Sequence, residues 1–578
     1  MNNLKTTFGN ILVFSVCILI LGAAPYFIFL NSIESFFDTV SLWERIKGMI
    51  HIALHSLLFP ALVILISMTL KTRILLTSIH LIFMLTLLAN SVYYSYFGSL
   101  IHLSLLPQAS VLNDVSGQIF SQLITIKEIL LFLPISFSLA YSIWFSAPHR
   151  QQVEKTASRL FKIALLIIIL LLIIKPLFLG LRHGILKVRK HNELHMAKQF
   201  GFIPFYLSEA FLIVSRRNSQ IPDFPGRINP VPSSRKPDAK RTQYNVIFLQ
   251  VESLDAKALT LKIGGKELTP NLNALKDQMV YFPHFFAQHR GGASQDSELS
   301  ALYSILPVNG RSGFNSLKMS ETSSLLATLK EKGYHTLAFH ANIGNFFNRD
   351  RLLRKSGFDE FFEKESFTGN AKGWNSKDID FFNQSLAKLE KFKEPFFAYF
   401  ITMQSHGPYQ NYGKFSDGLD TSIYNELQAD YFRSIHEVDH AIGHFFRSLK
   451  SKGLLDHTIL FLFSDHASGV DYPAKSYPLP STVKEHIPLF IYHPELPPSS
   501  NNKTGSQLDL APTLTELLKL PSSATWLGSS LFLESRSRVI LNYPKPIIYE
   551  FLDGKFSQGS DLEFSNPFIR WSEALQNY

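Results

Sequence analysis

The stretch NVIFLQVES, residues 245–253, sets a run rich in β-branched and aromatic residues directly before a carboxylate, Glu252. Such a run reads as a strand buried on both faces. Four more repeat the pattern: HTLAFH at 335–340, PFFAYFIT at 395–402, TILFLF at 458–463 and IPLFIY at 487–492. Helical patterns lie between and beyond them, at 321–332, 378–391, 427–452 and 510–518. Strands alternating with helices predict an α/β sandwich around a mostly parallel sheet. In such sheets ligands bind beyond the carboxyl ends of the strands.

That rule gathers polar residues on one rim. Glu252 follows the first strand, Asn342 and Asn345 the second, His406 the third, and Asp465 with His466 the fourth. Carboxylates combined with imidazole suit Mn²⁺ or Zn²⁺ better than Ca²⁺. Each position alone has a plainer reading. Asp465 or Glu252 would cap a following helix, and His406 in SHGPY would be a turn residue. Their coincidence at three strand ends favours a metal site. The segment QHRGGASQDSE, residues 288–298, adds two glycines before Ser294 and leads into a helix expected over 297–304. Backbone N–H groups at such a helix start favour an anion. A serine at a metal would be activated by coordination rather than by an adjacent base.

Outward from this half, the composition changes. Of 578 residues, 46% are apolar and only 18% charged, against about 25% charged in typical globular proteins. The deficit sits in the first part of the chain, which excludes both an entirely soluble and a disordered protein. Runs at 8–30, 50–70, 74–97, 129–147 and 163–181 reach the roughly 20 apolar residues of a spanning helix. They predict a multi-pass α-helical membrane domain over 1–181, whose first run reads as an uncleaved span because no small-residue cleavage site ends it. Lys5, Lys71, Arg73, Arg150, Lys155, Arg159 and Lys162 fall on one side, which marks that side, and the N-terminus, as cytoplasmic. Five spans then place everything beyond 181 outside.

Residues 182–241 read as juxtamembrane amphipathic helices, anchored by Phe200, Phe202, Phe205, Tyr206 and Phe211, followed by a Pro/Ser/Arg linker. Residues 242–545 are the expected α/β domain and 546–578 a C-terminal tail. The single cysteine, Cys17, excludes an intrachain disulfide and a cysteine-based zinc cluster. The net charge of +10 comes with no nucleic-acid signature, so no nucleic-acid partner is expected, and an anionic membrane surface accounts for it.

The order of these motifs resembles the lipoteichoic acid synthase family. It runs Glu252 after a strand, Ser294 with Asp296 and Glu298, then Asn348-Arg349-Asp350, Ser405-His406-Gly407-Pro408-Tyr409 and Ser464-Asp465-His466. That family is a membrane branch of the alkaline phosphatase and sulfatase superfamily, and the resemblance spans nearly the whole chain. It implies a sulfatase-like extracytoplasmic domain behind the membrane helices, on a bacterial inner membrane. Carried over by position, it implies Glu252, Ser294, Asp465 and His466 as ligands of one Mn²⁺ and Ser294 as nucleophile. It further implies Arg349 on the phosphoglycerol head group, His406 beside the transferred phosphate, and Trp374 and Asp378 in a substrate-side loop. Three positions depart from the family pattern: Ser294 for threonine, Gln295 for serine, and Phe347 where tryptophan is common.

The implied activity is transfer of glycerophosphate from phosphatidylglycerol, through a Ser294-linked intermediate, to a glycerophosphate polymer, glycolipid or glucan acceptor. A sulfatase proper would need a Cys/Ser-x-Pro-x-Arg motif, which residues 294–298 do not match. Phosphoethanolamine transferases are the enzymatic alternative, although they typically carry disulfides. A non-catalytic lipid-binding envelope sensor is the other, and would be expected to lose the nucleophile and the metal ligands.

Overall fold

The computed structural model describes residues 222–229 and, apart from short stretches, 243–576; earlier it describes only separate positions between 82 and 210. The chain divides into two compact units, Met1–Leu106 with Leu112–Ser215, and Pro107–Val111 with Arg216–Tyr578.

Of the first unit little is described. The apolar runs at 8–30, 50–70, 129–147 and 163–181 lie outside the described residues. Within the run at 74–97, positions 85–91 are helical. So are 205–207 of the expected juxtamembrane segment, where the Tyr206 hydroxyl accepts a hydrogen bond from Asn90 Nδ2 at 2.8 Å. No helix among the described residues is long and apolar enough to cross a membrane.

The second unit is the α/β domain. In chain order its strands are β1 (Asn245–Val251), β2 (Lys262–Ile263), β3 (Lys266–Glu267), β4 (Val280–Phe286), β5 (His335–His340), β6 (Glu360–Phe362), β7 (Phe396–Ile401), β8 (Thr458–Ser464), β9 (His486–Tyr492), β10 (Ser499–Ser500), β11 (Gly505–Ser506), β12 (Arg538–Leu541), β13 (Ile547–Leu552) and β14 (Lys555–Gly559). Its α-helices are α1 (Pro270–Leu275), α2 (Ser294–Tyr303), α3 (Leu325–Lys330), α4 (Arg349–Ser356), α5 (Asp378–Leu389), α6 (Glu426–Ser451), α7 (Leu510–Leu517) and α8 (Leu562–Leu575).

Among the described residues, the main sheet runs β10-β4-β9-β8-β1-β7-β5-β6, with β11 also on β4. The strands are parallel except β9, which is antiparallel to both β8 and β4. All five runs read as strands from the sequence form this sheet. β4 was not among them, since Pro283 interrupts its pattern; the β4–β9 register shifts between Phe282 and Phe285, and at such an irregularity a missing N–H is tolerated.

Alternation along the strands splits the core into two layers. Phe248, Phe397, Tyr399, Phe461 and Phe463 share one cluster with residues of α2, α3, α4, α7 and α8. Ile247, Leu249, Ala398, Phe400, Leu460 and Leu462 share the other with residues of α1, α5 and α6. The centre is Phe248, whose ring lies 4.9–5.9 Å from those of Phe397, Tyr399, Phe461 and Phe463. Truncation there would cost about 3–5 kcal/mol.

The described residues of the segment set apart in the sequence as a tail, 546–578, fold into this body. β13 pairs antiparallel with β12 on one side and β14 on the other in a three-stranded sheet, and the Tyr549 ring lies tilted against Phe286 with centroids 4.5 Å apart. From α8, Phe568, Ile569, Trp571 and Leu575 enter the first core cluster. The amphipathic spacing of those four apolar residues supplies the physical reason: left in water they would expose a continuous apolar stripe.

Candidate active site

The parallel neighbours β8, β1 and β7 end at one level, with Val251 opposite Ser464 and Gln250 opposite Ile401. Glu252 therefore emerges beside Asp465 and Thr402. Its backbone N–H donates to Thr402 Oγ1 at 3.0 Å, and its carbonyl accepts from Ser405 Oγ at 2.5 Å. Four residues beyond Phe248, it continues the side of the sheet on which α2 packs.

α2 starts at Ser294 itself, three residues earlier than the sequence pattern implied. Ser294 Oγ donates to Glu252 Oε2 at 3.1 Å. The other oxygen, Oε1, accepts from Ser253 Oγ at 3.0 Å and lies 3.5 Å from His466 Nε2. Asp465 Oδ1 accepts from the backbone N–H groups of Ser253 and His466, both at 2.8 Å. Asp465 Oδ2 is buried with no hydrogen-bond partner and lies 3.5 Å from His466 Nε2. His466 Nδ1–H donates to the Ala467 carbonyl at 2.9 Å, which fixes Nε2 as the nitrogen left for the carboxylates. One ligand atom from each of Glu252, Asp465 and His466 lies within 4.8 Å of the others.

The electrostatics fit a cation. Burial, reinforced by Glu252, pushes the Asp465 carboxyl up to about 6. Burial alone would lower His466, but Asp465 and Glu252 outweigh it and raise the imidazole to about 9. Asp296 and Glu298, both buried, add further carboxylates. A divalent ion would replace the His466 proton and give the unpartnered Asp465 oxygen a ligand role; oxygen donors with one imidazole suit a borderline metal.

Arg349 opens α4 and is buried. Its Nη2 lies 2.7 Å from Glu298 Oε1, on the helix that begins with Ser294. Its Nη1 donates to His340 Nε2 at 2.6 Å, so His340 Nδ1–H must donate to the Ile401 carbonyl at 3.1 Å. Burial and the adjacent guanidinium hold His340 well below its usual range. Burial raises Glu298, with Arg349 opposing.

His406 stands against Trp374 with ring centroids 4.7 Å apart. Its Nδ1–H donates to the Gly407 carbonyl at 3.0 Å, and burial lowers it to about 4. Asp378 is fully buried at the start of α5. Its Oδ1 accepts from Met403 N at 3.1 Å and Gln404 N at 3.3 Å, and burial lifts its carboxyl to about 7. That geometry holds the loop that carries His406. Asn345, Phe347 and residues 290–293 lie outside the described residues.

Sequence reasoning passed over Gln507, Glu485 and His289. Gln507 Oε1 accepts from Gln288 N at 2.6 Å while its Nε2 donates to the carbonyls of Ser464 and Asp465 at 2.9 and 2.7 Å. Glu485 accepts from His289 Nδ1 at 3.1 Å and from Ala467 N at 3.1 Å. Gln507 follows β11 and His289 follows β4, two strands the sequence pattern does not announce, and Glu485 precedes β9, so the rule that found the other residues does not reach them.

A sulfatase family model matches residues 244–520, and a model of the lipoteichoic acid synthase N-terminal domain matches residues 1–220. Lipoteichoic acid synthase 2 of Bacillus subtilis (strain 168) is 25% identical over 489 residues, 80% of this chain and 75% of that relative. The chain is thus similar to lipoteichoic acid synthases in both of its parts. That similarity indicates a sulfatase-like α/β domain and a phosphotransferase enzyme. The fold agrees with the crystal structure of the lipoteichoic acid synthase LtaP from Listeria monocytogenes, at TM-score 0.52 and 23% identity over 60% of this chain and 94% of that one. It also agrees with the integral membrane protein EptA, a lipooligosaccharide phosphoethanolamine transferase from Neisseria meningitidis, at TM-score 0.54 and 15% identity over 89% of this chain and 96% of that one.

Proposed function

We propose that this chain is a membrane-anchored phosphoglycerol transferase that moves glycerophosphate from phosphatidylglycerol to an envelope acceptor, a glycerophosphate polymer, glycolipid or glucan. On this reading residues 1–181 span a bacterial inner membrane several times from a cytoplasmic N-terminus, 182–241 lie along it, and the α/β domain faces outward. The observation that carries the reading is the Ser294 hydroxyl 3.1 Å from Glu252, in the cluster completed by Asp465 and His466. A nucleophile and three metal-type donors meet at the start of one buried helix.

Glu252, Asp465, His466 and the Ser294 oxygen would hold one divalent ion, Mn²⁺ on this reading. When bound it supplies a Lewis acid that favours the ionised hydroxyl and offsets charge on the phosphoryl oxygens. The chain's own part is as follows. Glu252 Oε2 receives the hydrogen bond of Ser294 Oγ–H and so points the oxygen lone pairs away from the carboxylate. Ser294 Oγ loses its proton and forms the new bond to phosphorus as the bond to the diacylglycerol oxygen breaks, and that oxygen takes up a proton as diacylglycerol leaves. In the second half an acceptor hydroxyl forms the bond to phosphorus, loses its proton, and Ser294 Oγ departs and is reprotonated. Arg349, fixed by Glu298, offers its guanidinium to the phosphoglycerol. His406, neutral because burial lowers it to about 4, is in the state to accept the proton of an incoming hydroxyl. Trp374 packs against its ring, and Asp378 sets the loop beneath it. Attachment to the bilayer keeps the site beside its lipid donor.

The test is diacylglycerol release from defined vesicles by full-length protein with Mn²⁺. Wild type is expected to release it from phosphatidylglycerol, and Ser294→Ala to lose at least about 10⁴-fold of that rate. Undiminished turnover in the variant would remove Ser294 from the mechanism. Turnover on phosphatidylethanolamine alone would replace the donor with a phosphoethanolamine lipid. Absence of any bound divalent metal in active wild type would overturn the metal assignment.

A further inference from the structure

The ring of His466 is held from a direction that the metal cluster does not explain. His289 lies face to face with it, ring centroids 4.7 Å apart and planes 23° from parallel. His289 is not free to swing: its Nδ1–H donates to Glu485 Oε1 at 3.1 Å. The other oxygen of the same carboxylate accepts from the N–H of Ala467 at 3.1 Å, and the Ala467 carbonyl in turn receives His466 Nδ1–H at 2.9 Å. Glu485 thus reaches the His466 ring by two routes, one through a stacked side chain and one through the backbone that anchors its other nitrogen. The carboxylate is only 7% exposed, and His289 is 25% exposed. The Glu485 backbone adopts φ of +54°, an uncommon conformation for a residue other than glycine. Such strain persists only where the surroundings hold it.

The same carboxylate joins two loops. His289 belongs to the segment that leads from β4 to Ser294, and Ala467 to the segment after β8. Gln507 makes a second tie between these segments, from Gln288 to the carbonyls of Ser464 and Asp465. The nucleophile's approach and the metal-side loop are therefore pinned together twice.

We propose that Glu485 and His289 are positioning residues that act as a pair, fixing the His466 ring for a divalent cation and setting the Ser294 segment against it. The proposal rests on the metal reading above. Partners of this kind, which orient a metal-binding imidazole without touching the ion, typically matter by 10–100-fold in metal affinity. Glu485→Gln keeps the shape and an oxygen for Ala467 N–H but loses the charge that holds His289. His289→Phe keeps a stacked ring but removes the hydrogen bond to Glu485.

The measurement is Mn²⁺ affinity of the full-length chain, read as the Mn²⁺-dependent rise in unfolding temperature and by equilibrium dialysis, with no substrate present. Each single variant is expected to weaken Mn²⁺ binding by about 10-fold. The double variant should be little worse than either, because both break the same brace. Metal-free unfolding temperatures close to wild type would show that the loss is not general unfolding; if Glu485→Gln fails to fold, His289→Phe carries the test. Mn²⁺ affinities within twofold of wild type in the folded variants would overturn the brace and leave the metal site standing. So would losses that simply multiply in the double variant. Wild type that binds no Mn²⁺ would overturn the metal reading and the brace together.

Discussion

β8 and β9 are neighbours in one sheet, yet they serve the rim in opposite ways. β8 runs toward it and delivers Asp465 and His466 just past its carboxyl end. β9 runs away from it and delivers Glu485 just before its first residue, His486. The residues at carboxyl ends, Glu252, Asp465 and His466, bring one ligand-type atom each to within 4.8 Å of the others, and Asp465 Oδ2 is without a hydrogen-bond partner. The residue at an amino end has both oxygens engaged by protein donors. One kind of strand end presents chemistry, and the other holds what is presented. The expected effects of substitution should divide along the same line.

The largest loss belongs to Ser294, which follows β4, a strand running in the same sense as β8. Next comes Asp465→Asn. The amide oxygen can still accept from Ser253 N and His466 N, while the charge at the second oxygen is gone. Mn²⁺ affinity should fall by on the order of 100-fold or more, since a ligand is lost rather than its support. Mn²⁺ affinity within about tenfold of wild type would mean that Asp465 is a structural anchor and would blur the division between the two strand ends.

Arg349 sharpens the comparison from the side of α4. Arg349→Ala would strand the buried Glu298 and confound folding with function, so Arg349→Lys is the informative change. It keeps a positive charge for Glu298 but loses the planar fork. kcat/KM on phosphatidylglycerol should drop roughly 30-fold, with a smaller loss on bis(4-nitrophenyl) phosphate, which has no glycerol. Equal losses on both would take Arg349 out of head-group recognition and leave it on the phosphoryl group alone.

What could be read in the sequence follows the same physical line. Strands buried on both faces announce themselves as continuous apolar runs, so β1, β5, β7, β8 and β9 were legible, and with them Glu252, His406, Asp465 and His466 beyond their carboxyl ends. β4 was not, because Pro283 and His284 break its pattern. β12 and β14 were not, because RVIL is too short and KFSQG too polar to stand out, and the apolar IIYEFL of β13 lay in the segment set apart as a tail. Glu485 and His289 were illegible for a different reason. Neither carries a motif, and their meaning comes only from a stacking geometry between segments 177 positions apart in sequence, His289 and His466. Asp378 was reachable only through the resemblance, as a substrate-side residue; its Oδ1 accepts from the backbone of Met403 and Gln404, and its Oδ2 has no hydrogen-bond partner.

The smallest effect should come from His486, the residue next to Glu485 and the first of β9. Consecutive residues on a strand face opposite ways, and His486 turns from the rim to lie against Phe286, its Nε2–H donating to the Pro283 carbonyl at 2.7 Å. Burial lowers its imidazole to about 3, with the nearby His284 adding in the same direction. A histidine neutral in the fold but near 6.5 when unfolded takes up a proton on unfolding. Its contribution to stability is therefore present above pH 6.5 and is lost as pH falls from there toward 3. Between pH 7 and pH 5 the loss from this one group is about 2 kcal/mol. His486→Gln keeps a donor for Pro283 and removes the titration. Denaturant unfolding of the metal-free chain at both pH values should show a pH dependence smaller by that amount in the variant, with Mn²⁺ affinity at pH 7 unchanged. An undiminished slope would mean that His486 is charged in the fold. A fall in Mn²⁺ affinity would show that the amino end of β9 acts on the metal through both of its faces, and that the division drawn between β8 and β9 is too simple.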